Sequence, residues 1–583
     1  MTRGHADEFF IRPVRLTAKQ ILSNRMDNSR TTRVGFAALW VPGKGHASAV
    51  PHTLRDVCYR FSLATEIKSQ CRCMASEFID DMAYGKSPYD TIPYRGTVVP
   101  NTSASHLAVC SLWHHGPRQP FRGFRLVELG CGDGTNLIAL AFYDPESTFI
   151  GIDNSRAEID QARESAKCLG LENIRFVLKD VRDLESADFA PSDYVIAHGL
   201  YSWVPEDARD AILAFCRQNL TPNGLAYISY NAQPGWAMRR LVRETLLRSR
   251  SVREAAIEHK AARASEVATQ LLEDLPSRDY AFAVLLAEEL ERVRDGKPFY
   301  VFHEYLAEVN EGFWLRDFVE RARRNGLEYV ADAQFCRWEG HLPAELKIAL
   351  AKRELDPIEQ EEAADLLCDR YFHASILCRA DAPRESTSHR ELLEKVHLAT
   401  SLHAKSDPFE FTEGVVERFF SVNGPEITLD ASITKAAVLL LAAQWPAGMR
   451  LETLYQQAAK LLATHGCEVS AHARLQLTDE LITLFEAGQI DLRLREPAYR
   501  KNVPEYPKIH ALARFEIEHR EALTTPFHLP LPFEPQALAL LRAMNGDRSR
   551  TKLRREFGEE LVEQTLEVVG RWGLLEQNTS ETC

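Results

Sequence analysis

The chain lacks any long apolar run. None of its 583 residues falls in a stretch approaching the ~18 to 20 consecutive apolar side chains of a membrane span. The N-terminus also lacks the apolar block and small-residue site of a secretory signal. These two absences predict a cytoplasmic protein with no membrane span. Paired cysteines are missing as well: the 12 cysteines are scattered, no Cys-x-x-Cys doublet occurs, and the nearest approach is Cys71-Arg72-Cys73. Neither a disulfide framework nor a zinc site is indicated. His114-His115 reads as a surface loop, because adjacent residues rarely face one ion without further ligands, so no metal is expected. Gly 29 and Pro 28 are too few for a collagen-like or low-complexity chain. A basic surplus is absent too. Lys and Arg number 70 against 83 Asp and Glu, a net charge of −13. That argues against a surface devoted to nucleic acid, which needs concentrated Lys and Arg, and favours basic partners.

What remains is ordinary globular protein, 45% apolar and 26% charged, and at roughly 150 residues per domain the length suggests about four units. The first of these differs in kind. Residues 1–73 hold twelve Lys and Arg against five Asp and Glu, whereas the remainder holds 58 against 78. Periodicity is poor from Thr17 to Arg33, and Met74 opens a helix-forming run to Met82. Two readings stand: a basic, poorly ordered extension, or a true translation start at Met74.

From Phe124 short apolar runs alternate with helical stretches: Phe124 to Gly130, Thr148 to Asp153, Ile174 to Asp180, Asp193 to Gly199 and Leu225 to Asn231. Continuous rather than alternating apolar character marks strands covered on both faces by crossover helices. The pattern predicts an α/β domain with a doubly wound, mostly parallel sheet over residues 74–384. Between Gly235 and Gly296 there is no glycine and one proline, Pro276, which reads as a helical insertion, placed at 237–325. Glu328 to Ala333 and Tyr371 to Leu377 are candidate sixth and seventh strands, with a charged helical stretch from Ala344 to Asp369 between them. Past the polar linker Arg384 to His389, two smaller α+β units are expected over 385–500 and 501–583. Helices followed by the alternating Ile490 to Leu494 suggest winged-helix-like modules.

The most informative stretch is Val127 to Asn136, directly after a strand and opening a helix. Its glycines permit a tight turn and close approach of a ligand to the backbone. A nicotinamide-binding Gly-x-Gly-x-x-Gly loop starting at Gly130 would need its third glycine at 135, where Thr135 stands. Instead Gly130, Gly132 and Gly134 alternate, with Glu128 two residues before the first. Three such glycines alone could simply make a tight strand-to-helix turn. Four successive strand ends carrying polar or glycine residues on the carboxyl edge of an open sheet, where ligands bind, weigh toward a binding site.

This loop resembles the first motif of class I S-adenosylmethionine-dependent methyltransferases. The resemblance implies S-adenosyl-L-methionine as cofactor. It implies contacts from Glu128, Gly130, Gly132 and Gly134, from Asp153 to the ribose with Asn154 beside it, from Asp180 and Val181 near the adenine, and from His198 at the fourth strand end. Further segments resemble the bacterial protein lysine methyltransferase family: Tyr89 to Tyr94, Ala197 to Pro205, Tyr230-Asn231 with Pro234-Gly-Trp236, Phe302 to Leu306 with Asn310, Arg370-Tyr-Phe372 and Lys435-Ala-Ala437 with Trp445-Pro446. That family includes enzymes modifying rickettsial outer-membrane proteins and joins a Rossmann-like methyltransferase core of seven strands to a regulatory helical region and C-terminal winged-helix-like domains. The chain departs from its pattern at Thr102-Ser103-Ala104, Gln233 and Ala237, positions that bear on the acceptor.

A lysine acceptor must first lose its proton, which an apolar aromatic pocket favours. Tyr89, Tyr94, Tyr201, Trp203 and Asn231 are the candidate substrate-binding residues; the same aromatic residues could instead only pack their loops, and the sequence singles out no catalytic residue. The expected activity is methyl transfer to a protein, on lysine, with the acidic body guiding a basic or lysine-containing segment. Two alternatives stand beside it. One is a methyltransferase on a small molecule or modified peptide. The other is an S-adenosylmethionine-sensing DNA-binding protein using the basic cluster Arg548, Arg550, Lys552, Arg554 and Arg555. Nucleic acid is disfavoured because Glu556, Glu559 and Glu560 follow that cluster. The helical insertion could serve as a lid or a homodimer surface.

Overall fold

The structure, a computed structural model, describes residues 88–576 apart from 276–279, 335–345, 347, 348, 351, 407, 422–425 and 521. The N-terminal extension 1–73 and the helix expected from Met74 to Met82 lie outside the described residues.

Seven strands form one sheet: β1 (Arg125–Leu129), β2 (Thr148–Asp153), β3 (Ile174–Leu178), β4 (Ser192–Ala197), β5 (Leu220–Ala232), β7 (Leu327–Asp332) and β8 (Phe372–Arg379), in the spatial order β3-β2-β1-β4-β5-β8-β7. A two-residue strand, β6 (Gly312–Phe313), pairs parallel with the end of β5 off this path. The first five strands are parallel to one another, and β8 runs antiparallel to both of its neighbours. This is the mostly parallel Rossmann-like sheet expected from the continuous apolar runs.

Burial on both faces explains those runs. Leu126, Phe149, Phe176, Tyr194 and Tyr227 pack on one side with helix Thr135–Tyr143 and helix Arg156–Cys168. Their immediate neighbours Val127, Ile150, Val177, Val195 and Ile228 face the other side with helices Glu206–Asn219 and Leu315–Arg324. Each such apolar side chain withdrawn from water contributes ~1.5–3 kcal/mol, so a polar residue at any of them has little to offset its desolvation. The order reverses between β1 and β4, and there the open sheet leaves a crevice at its carboxyl edge.

The expected insertion between β5 and β7 is helical: Ala237–Arg248, Lys260–Asp274 and Ala281–Asp295 form a separate apolar cluster with the segment Phe302–Leu306. That last segment is a single turn of π-helix, a geometry that concentrates at functional sites. Between β7 and β8, helix Pro357–Cys368 begins with a capping box from Asp356 and Glu359.

Beyond the sheet, helices Ser432–Gln444, Leu451–Thr464 and Ala473–Glu486 share one core. They stand beside a small antiparallel sheet in which His397–Ala399 lies between Met449–Arg450 and Asp491–Arg493. The middle strand thus comes from before the helices. The last unit contains helices Ala511–His519, Pro535–Ala543, Arg550–Phe557 and Glu559–Arg571, with a short hairpin of Leu523–Thr524 and Pro530–Leu531. Three residues of its basic cluster are paired: Arg548 with Glu556, and Arg550 and Arg554 with Glu563.

Candidate functional site

All three glycines of the loop after β1 have positive φ, +70° at Gly130, +53° at Gly132 and +73° at Gly134. This left-handed region is costly for other residues. Gly134 also packs tightly, since a Cβ there would meet the Phe176 ring at 2.6 Å. Gly132 is different. A Cβ there would meet nothing within 4 Å, so the backbone at Gly132 borders open space. The amides of Gly130 and Cys131 both donate to the carbonyl of Ile152 at 2.8 and 3.1 Å, tying the loop to the end of β2.

Asp153 ends β2 with its Oδ2 accepting from the Gly132 amide and its Oδ1 from the Ser155 amide, both at 2.9 Å. Asp90 reaches the same place, accepting from the Ser155 hydroxyl at 2.7 Å. Glu128, on β1 two residues before the loop, is buried; its Oε1 accepts from Asn136 at 2.9 Å, and among the described residues its Oε2 has no hydrogen-bond partner. Burial, aided by the Asp133 and Asp153 carboxylates and opposed by the Asn136 bond, pushes the Glu128 carboxyl up to about 8. Glu158 is pushed up to about 8 as well, by burial first and then by Asp133 and Asp153. Several carboxyl groups therefore crowd one loop with too little positive charge to ionise them all. The arrangement suits a cation.

Asp180 begins the turn after β3. It takes a two-pronged pair from Arg182, Nε at 3.0 Å and Nη2 at 2.9 Å, and this pairing holds its carboxyl below the usual carboxylate range. Asn154 is exposed and also hydrogen-bonds Asp180. Val181 packs partly buried against the core under β4. His198, just past β4, has its Nδ1 3.0 Å from the Tyr227 hydroxyl and 3.2 Å from the Ser229 hydroxyl, and burial lowers it to about 4. It is a neutral imidazole.

An aromatic wall stands nearby. Tyr89 stacks on His303 with centroids 4.4 Å apart and planes 9° from parallel. Tyr94 meets the same imidazole edge-on at 5.6 Å and Phe299 at 5.3 Å. Burial first, then the Asp153 carboxylate, raises the Tyr89 hydroxyl far above its ordinary value, so this ring lies within electrostatic reach of the end of β2. His303, on the π-turn, hydrogen-bonds through Nε2 to the Ile92 carbonyl at 2.7 Å, and its own carbonyl accepts from the Trp203 indole at 3.1 Å. The turn thus joins the segment before the sheet to the loop after β4. Asn231, at the end of β5, donates to Asn310 at 2.7 Å, and Asn310 donates to the Glu304 carbonyl at 2.8 Å.

Tyr201, expected in the acceptor pocket, is instead fully buried, its ring packed against Phe318, Phe313 and Tyr230 at centroid distances of 5.3, 5.4 and 6.1 Å. The apolar side of helix Leu315–Arg324 claims it. Sequence reasoning also passed over Asp90, Asn136, Glu158 and His303 as site residues. His303 lay inside a segment singled out for resemblance; Asn136 had no signal, because an asparagine in the first turn of a helix reads as a capping residue.

One further cluster could be mistaken for a metal centre. Ligand atoms of Asp332, Glu361 and His373 lie within 4.8 Å of one another. The Arg370 guanidinium already occupies it, 3.0 Å from Glu361 and 3.2 Å from Asp365. The positive charge these acids need comes from arginine, so the cluster is an ion-pair network.

An open loop over a reversal of strand order and an acid at the end of β2 are the features of a Rossmann-like methyltransferase fold. Comparison with known proteins agrees. Residues 121–274 match the model of a methyltransferase domain and residues 297–379 that of a predicted methyltransferase regulatory domain. The uncharacterized protein RP789 of Rickettsia prowazekii is 32% identical over 296 residues, 51% of this chain and 53% of that one, so the chain spans about half the length of this relative. The uncharacterized protein RP028 of the same organism is 31% identical over 42% of this chain and 97% of its own. The solved structure of PKMT2 from Rickettsia typhi in complex with AdoHcy superposes with a TM-score of 0.72 at 23% identity, covering 83% of this chain and 100% of that one. The chain belongs to the family of RP028, and it carries a methyltransferase domain followed by a predicted methyltransferase regulatory domain.

Proposed function

We propose that the protein transfers the methyl group of S-adenosylmethionine to the side-chain amine of a lysine in a protein. The donor supplies an electrophilic methyl on a positively charged sulfur. Asp153 would hold the ribose hydroxyls, the free Oε2 of Glu128 would face the amino acid end, Gly132 gives the donor room against the backbone, and Asp180 with Val181 would border the adenine. These assignments rest on an orphaned buried oxygen and an open glycine, both at the carboxyl edge of the sheet.

The observation that carries the acceptor reading is the aromatic wall of Tyr89, His303 and Tyr94 standing within reach of Asp153. Aromatic faces attract ammonium and methylammonium groups. Their apolar surroundings at the same time disfavour the charged amine, and the neutral amine is the nucleophile. In the displacement the amine nitrogen forms a bond to the methyl carbon as the carbon–sulfur bond breaks, and the nitrogen proton passes to water. What the residues contribute is alignment of the two reacting atoms. The resemblance of the chain's motifs to the bacterial protein lysine methyltransferase family supports this choice of acceptor, and the PKMT2 structure of the same fold holds AdoHcy.

The test is incubation with labelled S-adenosylmethionine and a bacterial lysate, followed by amino acid analysis. Label in methylated lysine of protein is expected. Label confined to small molecules would overturn the protein acceptor and leave the donor site standing.

A further inference from the structure

The C-terminal unit reaches into the donor site. His528 lies far along the chain in the loop between Leu523–Thr524 and Pro530–Leu531, yet its Nε2 is 2.8 Å from Oδ1 of Asn136 in the first turn after the glycine loop. The direction of this bond is fixed by its neighbours. The Val99 amide, which only donates, also points at Oδ1 of Asn136, at 2.9 Å, so that atom is the amide oxygen and the imidazole carries its proton on Nε2. The other end of the same amide donates through Nδ2 to Oε1 of Glu128 at 2.9 Å. All three side chains are buried.

Two further ties bring the same unit to the same helix. Arg520 pairs with Oδ2 of Asp133, within the glycine loop, while Oδ1 of Asp133 accepts from the Thr135 amide at 3.0 Å. At the far end of helix Thr135–Tyr143, the Tyr143 hydroxyl donates to the Thr524 carbonyl at 2.6 Å and sits 2.9 Å from Nε2 of His510. The helix behind the donor loop is therefore held at its start, its end and in the loop before it by one C-terminal unit. His528 itself sits at φ +55°, an uncommon backbone for a non-glycine residue.

We infer that His528 is a positioning residue for the methyl donor: through Asn136 it fixes which oxygen of Glu128 is tied down and which is left to face the ligand, so the C-terminal unit is a working part of the donor site. The inference rests on the reading of Glu128 as a donor-facing carboxyl. Without the Nε2–H donor the Asn136 amide loses one of the bonds that set its orientation, and Glu128 can turn its free oxygen away.

Full-length protein with His528→Gln, His528→Asn and His528→Leu tests this. Glutamine extends an N–H to about the place of Nε2, whereas asparagine is shorter and leucine has no donor. Titration with S-adenosylhomocysteine is expected to give wild-type and H528Q affinities within about twofold of each other, and affinities about fivefold or more weaker for H528N and H528L, the order of one lost neutral hydrogen bond. In turnover the loss should fall on KM for the donor, with kcat changed less than twofold at saturation. Equal affinities in all four proteins, or equal loss in H528Q and H528N, would overturn the inference. Absence of binding by the wild type would instead remove the donor-site reading itself. Should the variants fail to fold, NMR of ring-labelled histidine in the wild type decides: the His528 resonances are expected to shift on adding S-adenosylhomocysteine, and unmoved resonances in a protein that binds it would overturn the inference.

Discussion

Tyr89 and His303 lie parallel at 4.4 Å, one from the segment ahead of the sheet and the other from the π-turn of the regulatory region. Their stack ties the segment ahead of the methyltransferase sheet to a residue of the second domain. Under the function proposed above, the regulatory region lends a wall to the acceptor site.

Removal of that wall should be felt at the acceptor. Tyr89→Ala is expected to lower kcat/KM for a protein acceptor by about ten- to thirtyfold, corresponding to the ~1.5–2 kcal/mol of a desolvated cation–aromatic contact. Tyr89→Phe keeps the ring and should stay within about threefold of wild type. Steady-state kinetics at saturating donor checks both, and a deficit as large in Tyr89→Phe would shift the role from ring to hydroxyl.

Two glycines two residues apart should respond to alanine in different ways. At Gly134 the new methyl strikes Phe176, so Gly134→Ala is expected to destabilise the domain by ~2–4 kcal/mol, overpacking and left-handed strain together. At Gly132 there is open space, so Gly132→Ala should cost only the ~1–2 kcal/mol of left-handed strain while its methyl enters the volume assigned to the donor. Denaturant melts and S-adenosylhomocysteine titration separate the two, with binding weakened most in Gly132→Ala relative to its stability loss.

How much of this was legible in the sequence follows from how local each signal is. Glu128, the three glycines and Asp153 stand out because strand, turn and helix follow one another within a few residues, and the residue types required there are narrow. The seven strands were legible because burial on both faces demands unbroken apolar runs. For Tyr201 the sequence left two readings, a pocket wall or the packing of the loop after β4, and only the fold shows its ring against Phe313 and Phe318. His528 and Arg520 were invisible, since their partners Asn136 and Asp133 meet them through the fold alone. The same holds for the embrace of His373 by Asp332 and Asp365.

That embrace makes a stability prediction. Burial alone would lower His373, but Asp365 and the hydrogen bonds to Asp332 and Asp365 hold it up to about 9, while Arg370 opposes them. A histidine raised above its unfolded value stabilises fully below ~6.5 and loses that contribution as pH rises through about 9. Asp332, held down to about 2 by His373 and Arg370 against its burial, contributes above ~3.9 and loses it as pH falls through about 2. His373→Leu is expected to cost ~3–5 kcal/mol by leaving buried acids without their partner and to flatten the decline in stability between pH 6.5 and 9. An unchanged decline in the variant would place its origin elsewhere.

Glu128 shares the sign of the His373 slope and opposes that of Asp332. Between the ordinary carboxyl range and about 8 the folded protein keeps a proton that the unfolded chain has lost, so ionising Glu128 costs stability as pH rises across that window. A bound ammonium reverses the preference and expels the proton. Donor affinity should therefore increase from pH 6 to about 8, by at most tenfold per unit, and level off above; Glu128→Gln should remove the slope. A slope retained in Glu128→Gln would assign it to another group, with Glu158 the first candidate.

The most direct test of the donor site is calorimetric titration of the wild-type protein with S-adenosylhomocysteine at pH 7 in two buffers of different ionisation enthalpy. Saturable binding of one ligand per chain is expected, with heats that differ between buffers because a proton leaves the Glu128 site on binding. No saturable heat from folded protein in either buffer would contradict a donor site on this sheet edge.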